Sequence, residues 1–196
     1  ANQGGQMGNI VTTSTSTTQW QDLVTEASQA CNVLLSEDIE SYLVFLLMRF
    51  TGSPQMAHKI MALEFLQSIN SFGTQKSQAL RDVGDQCLLY SGLFPGRAKR
   101  RRVRVSYYVN IGKSAYLSLS ENGRDSRNNL FAELANQFVP LMDILQSMRE
   151  LDNRHVVLDP IQAEEIWSDT GSNHALQTLK VFTNEKKSTP LFNIIL

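Results

Sequence analysis

From Trp20 onward, apolar residues recur at every third or fourth position, the spacing that lines one face of an α-helix. Trp20, Leu23, Val24, Ala27, Ala30, Cys31 and Leu34 make the first such face. Ser36 suits the N-cap of a second helix, and Glu37, Asp38 and Glu40 put negative charge in its first turn, where the helix dipole favours it. Residues 42–48 are apolar on every side, which predicts a central helix covered by its neighbours. Thr51-Gly52-Ser53-Pro54 ends that helix and starts a third, with Ser53 as cap and Pro54 at the first helical position. The third carries Met56, Ile60, Leu63, Leu66 and Ile69 on one face and ends near Asn70-Ser71-Phe72-Gly73. Thr74 can cap the fourth, whose face is Leu80, Val83, Cys87, Tyr90 and Phe94. Gly84 lies inside it at a cost of about 1 kcal/mol relative to alanine, and close packing of another helix is one reason to tolerate it.

Residues 106–120 satisfy two periods. Tyr107, Tyr108, Val109 and Ile111 favour a strand locally, whereas Tyr108, Ile111, Ala115 and Leu119 fit a helix. Helix is the better reading, because nothing nearby supplies a strand partner. Asn122-Gly123-Arg124-Asp125 breaks the chain. A strong helix over 127–150 follows, with Leu130, Leu134, Phe138, Leu141, Leu145 and Met148 inward and Pro140 placed to kink or split it. Beyond Asp152 the pattern is less regular. Asp159-Pro160 opens a short helix through Trp167, and Ser172 can cap another reaching Phe182. The resulting expectation is an all-α fold, a single compact bundle of about seven helices. A flexible polar arm occupies 1–18, a helical core domain 19–150 and a C-terminal helical extension 151–196. The arm is rich in Thr, Ser, Gly, Asn and Gln, too polar to offset its ordering entropy. The last residues include Leu191, Phe192, Ile194, Ile195 and Leu196, an apolar tail expected to fold back on the core or dock on a partner.

A chain of 196 residues with 42% hydrophobic residues can bury a sizeable core. Its net charge of -1 excludes a protein that coats nucleic acid over its whole surface, so any such binding is local. No apolar run approaches the roughly 20 residues of a membrane span. No basic segment followed by an apolar one marks a secretory signal at the start. Residues 1–6 read as an expression remnant ahead of Met7, and Met7-Gly8-Asn9-Ile10-Val11-Thr12 then matches a myristoylation pattern short enough to arise by chance. Cys31 and Cys87 are far apart and read as two buried small hydrophobes, with a disulfide left open.

The residues form no catalytic or metal-ligating set. Gly112-Lys113-Ser114 imitates the end of a phosphate-binding loop, but the glycine needed five positions earlier is Tyr107 and the preceding strand is missing. His58, His155 and His174 lack the i, i+4 spacing of a helical zinc pair. Asp152 and His155 lack the second carboxylate–histidine pair of a di-iron bundle. A lone histidine such as His58 is far more often hydrogen-bonded or exposed than a haem ligand. No cofactor is implied. Asp82 and Asp85, one turn apart, read as ion-pair partners of the basic segment that follows them rather than as an acid–base pair.

That segment is the most specific feature. Gly92-Leu93-Phe94-Pro95-Gly96 closes an apolar helix, and Arg97, Lys99, Arg100, Arg101, Arg102 and Arg104 then crowd together before Tyr107 and Tyr108. Its arginines can grip nucleic-acid phosphates, with the tyrosines as stacking faces. They can recognise an acidic protein surface. Or they can be structural, reaching Asp82, Asp85 and the acidic ends of neighbouring helices. The stretch from Leu80-Arg81-Asp82-Val83-Gly84-Asp85 through Ser91-Gly92-Leu93-Phe94-Pro95 to Val105-Ser106-Tyr107-Tyr108, Gly112 and Ala115-Tyr116 resembles a pattern in a family of uncharacterised bacterial all-helical proteins. The resemblance covers about the central fifth of the chain. It implies a bacterial, cytoplasmic protein in which Gly84, Gly92, Tyr108 and Tyr116 form a packed unit, and it brings no activity or active-site residues.

The expected function is therefore a non-enzymatic interaction protein, an adaptor or accessory subunit of a larger bacterial assembly such as a secretion or regulatory complex, with other protein subunits as partners. One alternative is a nucleic-acid-binding regulator using residues 97–104. Another is a small-ligand or cofactor binder with a pocket between helices.

Overall fold

The computed structural model of the chain describes residues 7–63, 75–121, 127–153 and 156–188. Among these there are ten helices and no strand: α1 (Met7–Ala30), α2 (Glu37–Gly52), α3 (Pro54–Ala62), α4 (Gln75–Leu93), α5 (Pro95–Arg100), α6 (Val105–Glu121), α7 (Arg127–Asn136), α8 (Phe138–Asn153), α9 (Pro160–Thr170) and α10 (Asn173–Ser188). They pack into one compact all-α bundle, with α6 and α8 against α4, α1 against α2 and α8, and α9 paired with α10.

The expected punctuation places most helix ends. The Ser36 hydroxyl accepts the Ile39 N–H at 3.5 Å, and the Ser53 hydroxyl accepts that of Met56 at 3.2 Å ahead of Pro54. Asp159 caps α9 through the Gln162 N–H at 3.0 Å, and Ser172 caps α10 through that of Ala175, also at 3.0 Å. Residues 106–120 are helical, as the longer period indicated.

Two features raise the helix count above the expected figure of about seven. Pro140 cannot donate to the Asn136 carbonyl and its ring crowds that group, so α7 ends at Asn136 and α8 restarts at Phe138. Residues 95–100, where the sequence pattern shows a break carrying charge, form α5 with Pro95 in its first turn. The boundary drawn at residue 18 falls inside α1, which is helical from Met7. Extending a formed helix adds one hydrogen bond per residue fixed, and Thr17 also reaches the Met48 sulfur on α2 at 3.5 Å. The proposed ends of the third helix and start of the fourth, the 122–125 break, residues 1–6, His155 and the tail of Leu191, Phe192, Ile194, Ile195 and Leu196 lie outside the described residues.

The centre of the bundle is not α2, whose Phe45 is 61% exposed. Residues 83–92 of α4 and 141–148 of α8 are buried without interruption. Both runs include polar groups. The Gln146 amide donates to the Ser91 carbonyl at 3.2 Å, which ties α8 to α4. Asp85 is the other polar centre. It accepts the Tyr42 hydroxyl at 2.6 Å, the Tyr116 hydroxyl at 2.7 Å and Arg49 Nη2 at 2.6 Å, with Arg81 Nε at 3.9 Å. This corrects the expected pairing of Asp82 and Asp85 with the basic run. Asp85 instead joins α2, α4 and α6, while Asp82 takes the Gln78 amide at 2.9 Å.

Two glycines allow the helices to approach. A Cβ on Gly84 would lie 2.4 Å from the Tyr116 ring, and one on Gly92 would lie 2.4 Å from Leu145 Cβ. Cys31 and Cys87 are both free thiols. Cys87 is fully buried, whereas Cys31 is half-buried. No described helix is long and apolar enough to cross a membrane.

Candidate functional site

The basic segment is built as a short helix and a sharp exit. α5 ends in a Schellman arrangement, with the Arg102 N–H on the Lys99 carbonyl at 2.9 Å and the Val103 N–H on the Ala98 carbonyl at 3.1 Å. Arg102 has φ 57, the left-handed conformation usually left to glycine and costing a side-chain-bearing residue about 1 kcal/mol. The exit turns the chain back into α6, so the cations are distributed around a corner rather than along one strip.

That corner divides the charges. Lys99 pairs with Asp159 at 2.5 Å, and Arg104 Nη1 meets Asp169 at 2.8 Å. Asp169 also accepts the Ser106 hydroxyl at 2.8 Å. Both carboxylates belong to the α9 unit. Burial opposes ionisation of Asp159, but Lys99 and the Gln162 N–H together outweigh it and hold the carboxyl below its usual range. Arg101 caps α5 and lies near the Tyr90 phenol, which burial raises while Arg101 and Arg97 pull the other way. Of the two tyrosines offered as stacking faces, Tyr108 is a correction. It is 2% exposed, and its ring centroid lies 4.7 Å from that of Tyr90 in the core. Tyr107 is 52% exposed and borders an apolar groove of about 390 Å³ with Leu80, Val83, Ile111 and Ala115.

Arg97 and Arg100, one turn apart on α5, are exposed and face a different environment. They line a cleft of about 550 Å³ with Phe94, Gly96, Arg149, Val156 and Val157. Arg149 comes from the last turns of α8 and donates to the Leu93 carbonyl at the end of α4, which fixes its position. The Phe94 ring is held edge-on to Phe50, with centroids 6.1 Å apart. No carboxylate lines the cleft among the described residues. Glu150 lies behind it, accepting the Val157 N–H at 3.0 Å and facing His174 Nε2 at 3.2 Å. The cleft is therefore a concave, cationic site with one fixed and two exposed guanidiniums and an apolar wall. Nothing in sequence linked Arg149 to the basic run. Its only signal is a cation near the end of a helix.

The other sequence candidates resolve quickly. Gly112, Lys113 and Ser114 sit in the middle of α6, with Gly112 packed under Phe138, so no phosphate loop forms there. His58 is exposed, and no group of three metal-ligating side chains occurs among the described residues. No family model, curated protein or solved structure matches this chain.

Proposed function

We propose that the protein is a non-enzymatic interaction protein, an adaptor or accessory subunit of a larger assembly, that recognises an anionic group of its partner in the cleft of Arg97, Arg100 and Arg149. The observation that carries this reading is the division of the basic run. Lys99 and Arg104 are engaged by Asp159 and Asp169, while Arg97 and Arg100 converge with Arg149 on a concave surface. Exposed ion pairs contribute little stability, about 0–1 kcal/mol each, so holding the fold does not account for so many cations. Guanidiniums converging in a cleft raise the local potential and match planar oxyanions by paired hydrogen bonds. A bacterial, cytoplasmic setting is part of the proposal and rests on the resemblance of the central stretch.

A nucleic-acid grip along the whole run is less well supported. Tyr108 is buried, two of the cations are paired, and Glu164 and Glu165 lie close enough to act on Arg104. The test is affinity purification with the intact chain at moderate salt, with and without nuclease, alongside an Arg97→Gln/Arg100→Gln double variant. A stoichiometric protein partner that survives nuclease and is lost from the double variant is the expected result. Equal recovery on both baits would sink the proposal, and retention abolished by nuclease would move the function to nucleic acid.

A further inference from the structure

Resting on the cationic cleft of that reading, though not on its protein partner, we infer that the cleft between α5, α8 and the segment at Val156 is a binding site for a phosphoryl group carried on a nucleotide-sized body. Charge is the first argument. Three guanidiniums line the cleft, and among the described residues no carboxylate does. A single carboxylate offsets one positive charge, whereas a phosphate monoester brings about 1.5 to 2 negative charges and three acceptor oxygens, enough for more than one arginine fork.

Shape is the second. The cleft of about 550 Å³ falls within the roughly 300–1,000 Å³ typical of small-ligand sites and far exceeds what a lone phosphate would fill. Its remaining walls are apolar, from Phe94, Val156 and Val157. A ligand that uses the whole site therefore has an anionic end and a planar or apolar body. Arg149, anchored on the Leu93 carbonyl, aims one guanidinium without further ordering. Arg97 and Arg100 stand three residues apart on α5 and can close on the same group from one side.

The surroundings select against a long polyanion. A duplex laid across the segment meets Asp159 and Asp169, which already hold Lys99 and Arg104, with Glu164 and Glu165 nearby. A free nucleotide and the phosphorylated end of a strand share the chemistry the cleft accepts.

Calorimetric titration of the full chain tests this, with each of the four nucleoside 5′-monophosphates as probes and the nucleosides, inorganic phosphate and hexaglutamate as controls. At least one monophosphate should bind, its nucleoside should not, and inorganic phosphate should bind at least tenfold more weakly. Arg97→Gln/Arg100→Gln, both on an exposed face, should weaken the monophosphate at least tenfold with an unchanged melting temperature. A 5′-phosphorylated trinucleotide binding more tightly than any monophosphate identifies a strand end as the source. The reverse order identifies a free nucleotide, and both orders support the site. Equal binding of nucleoside and nucleotide, or full affinity in the double variant, overturns it. Hexaglutamate binding as tightly as any monophosphate overturns the phosphoryl assignment alone and leaves the anionic-partner reading standing. Binding of none of these anions removes both.

Discussion

A carboxylate with 1% of its side chain exposed persists in this core because four groups converge on it. Burial pushes Asp85 above the usual carboxylate range, against the pull of Tyr42, Tyr116 and Arg49. Asp85→Asn keeps the shape and an acceptor for the tyrosines, but turns an N–H donor toward Arg49 Nη2, now 2.6 Å from Oδ2. Losing a partner from a fully buried pair costs about 3–5 kcal/mol, but the Arg49 side chain is 42% exposed and can rehydrate, so we expect about 2–3 kcal/mol by urea denaturation. Asp82→Asn should stay within about 0.5 kcal/mol, since the Asp82 carboxylate accepts an amide from Gln78, one turn away on its own helix, and asparagine keeps that acceptor. Equal losses would mean that position in the helix, and not the network, sets the cost. Gly84→Ala decides between two opposing effects. Helix propensity favours alanine by about 1 kcal/mol. The new methyl would lie 2.4 Å from a Tyr116 ring that is fully buried and tethered to Asp85, so overpacking of about 1–3 kcal/mol wins and the variant should melt lower. A higher melting temperature would show that Tyr116 can move aside. The close approach at Gly84 was legible in sequence as a tolerated glycine, and Tyr116, its neighbour, stood with it in the packed unit that the resemblance implies, but from helical spacing alone the pairing was not. Nor was the direction in which Asp85 points, because a side chain and its neighbours in sequence share a helix without sharing a face.

The α8–α10 contact depends on a titratable pair. His174 opens α10 and faces Glu150 of α8 at 3.2 Å. Burial alone would lower its pKa, but hydrogen bonds to Cys31 and Glu150 hold it up to about 10. Burial likewise opposes ionisation of Glu150, and His174 and the Val157 N–H bring its carboxyl below the usual 4.5. The folded protein therefore binds the histidine proton more tightly than the unfolded chain, whose reference value is 6.5. That stabilisation is complete below about pH 6.5 and is lost as pH rises through about 10. The Glu150 contribution is present above its usual value and disappears as pH falls through its lowered folded value. In urea midpoints, the advantage of the native chain over His174→Gln should shrink steadily between pH 6.5 and 10. A constant difference over that range would exclude the pair as a pH-dependent tie. Helices as elements were largely readable, because caps and prolines act within three or four residues. Which helix is central was not. The apolar run at 42–48 outscores α8, yet α8 carries Asp143, Gln146 and Ser147 into the core. Asp143 is matched by the Ser172 hydroxyl at 2.5 Å and the Gln146 amide nitrogen by the Ser91 carbonyl, while the Gln146 Oε1 stays buried without a partner, so part of the polarity that reads as exposure in sequence is met by groups distant along the chain.

On the scale of the whole molecule, a net charge of -1 leaves no general attraction for polyanions, and recognition depends on where the cations stand. The sequence displays the run at 97–104 plainly. It does not show that Asp159 and Asp169 return from some 60 residues away to hold two of its members, or that Arg149 joins two others. Such placement arises only when α9 docks through Leu158, Ala163 and Ile166, all buried. The division has a measurable consequence for a short 5′-phosphorylated single strand. Binding to a strand loses affinity with salt at a logarithmic slope of about -0.7 for each phosphate neutralised, so a cleft that holds one terminal phosphoryl group gives about -1, and a grip in which each of the six cations of the run meets its own phosphate gives about -4. We expect a slope near -1 for the native chain. Lys99→Gln/Arg104→Gln should leave it unchanged, because those side chains already neutralise carboxylates. Arg97→Gln/Arg100→Gln should reduce it by more than half. A native slope near -4 that falls equally in both double variants would mean that the ion pairs to α9 open on binding and that the entire segment, rather than the cleft, contacts the strand.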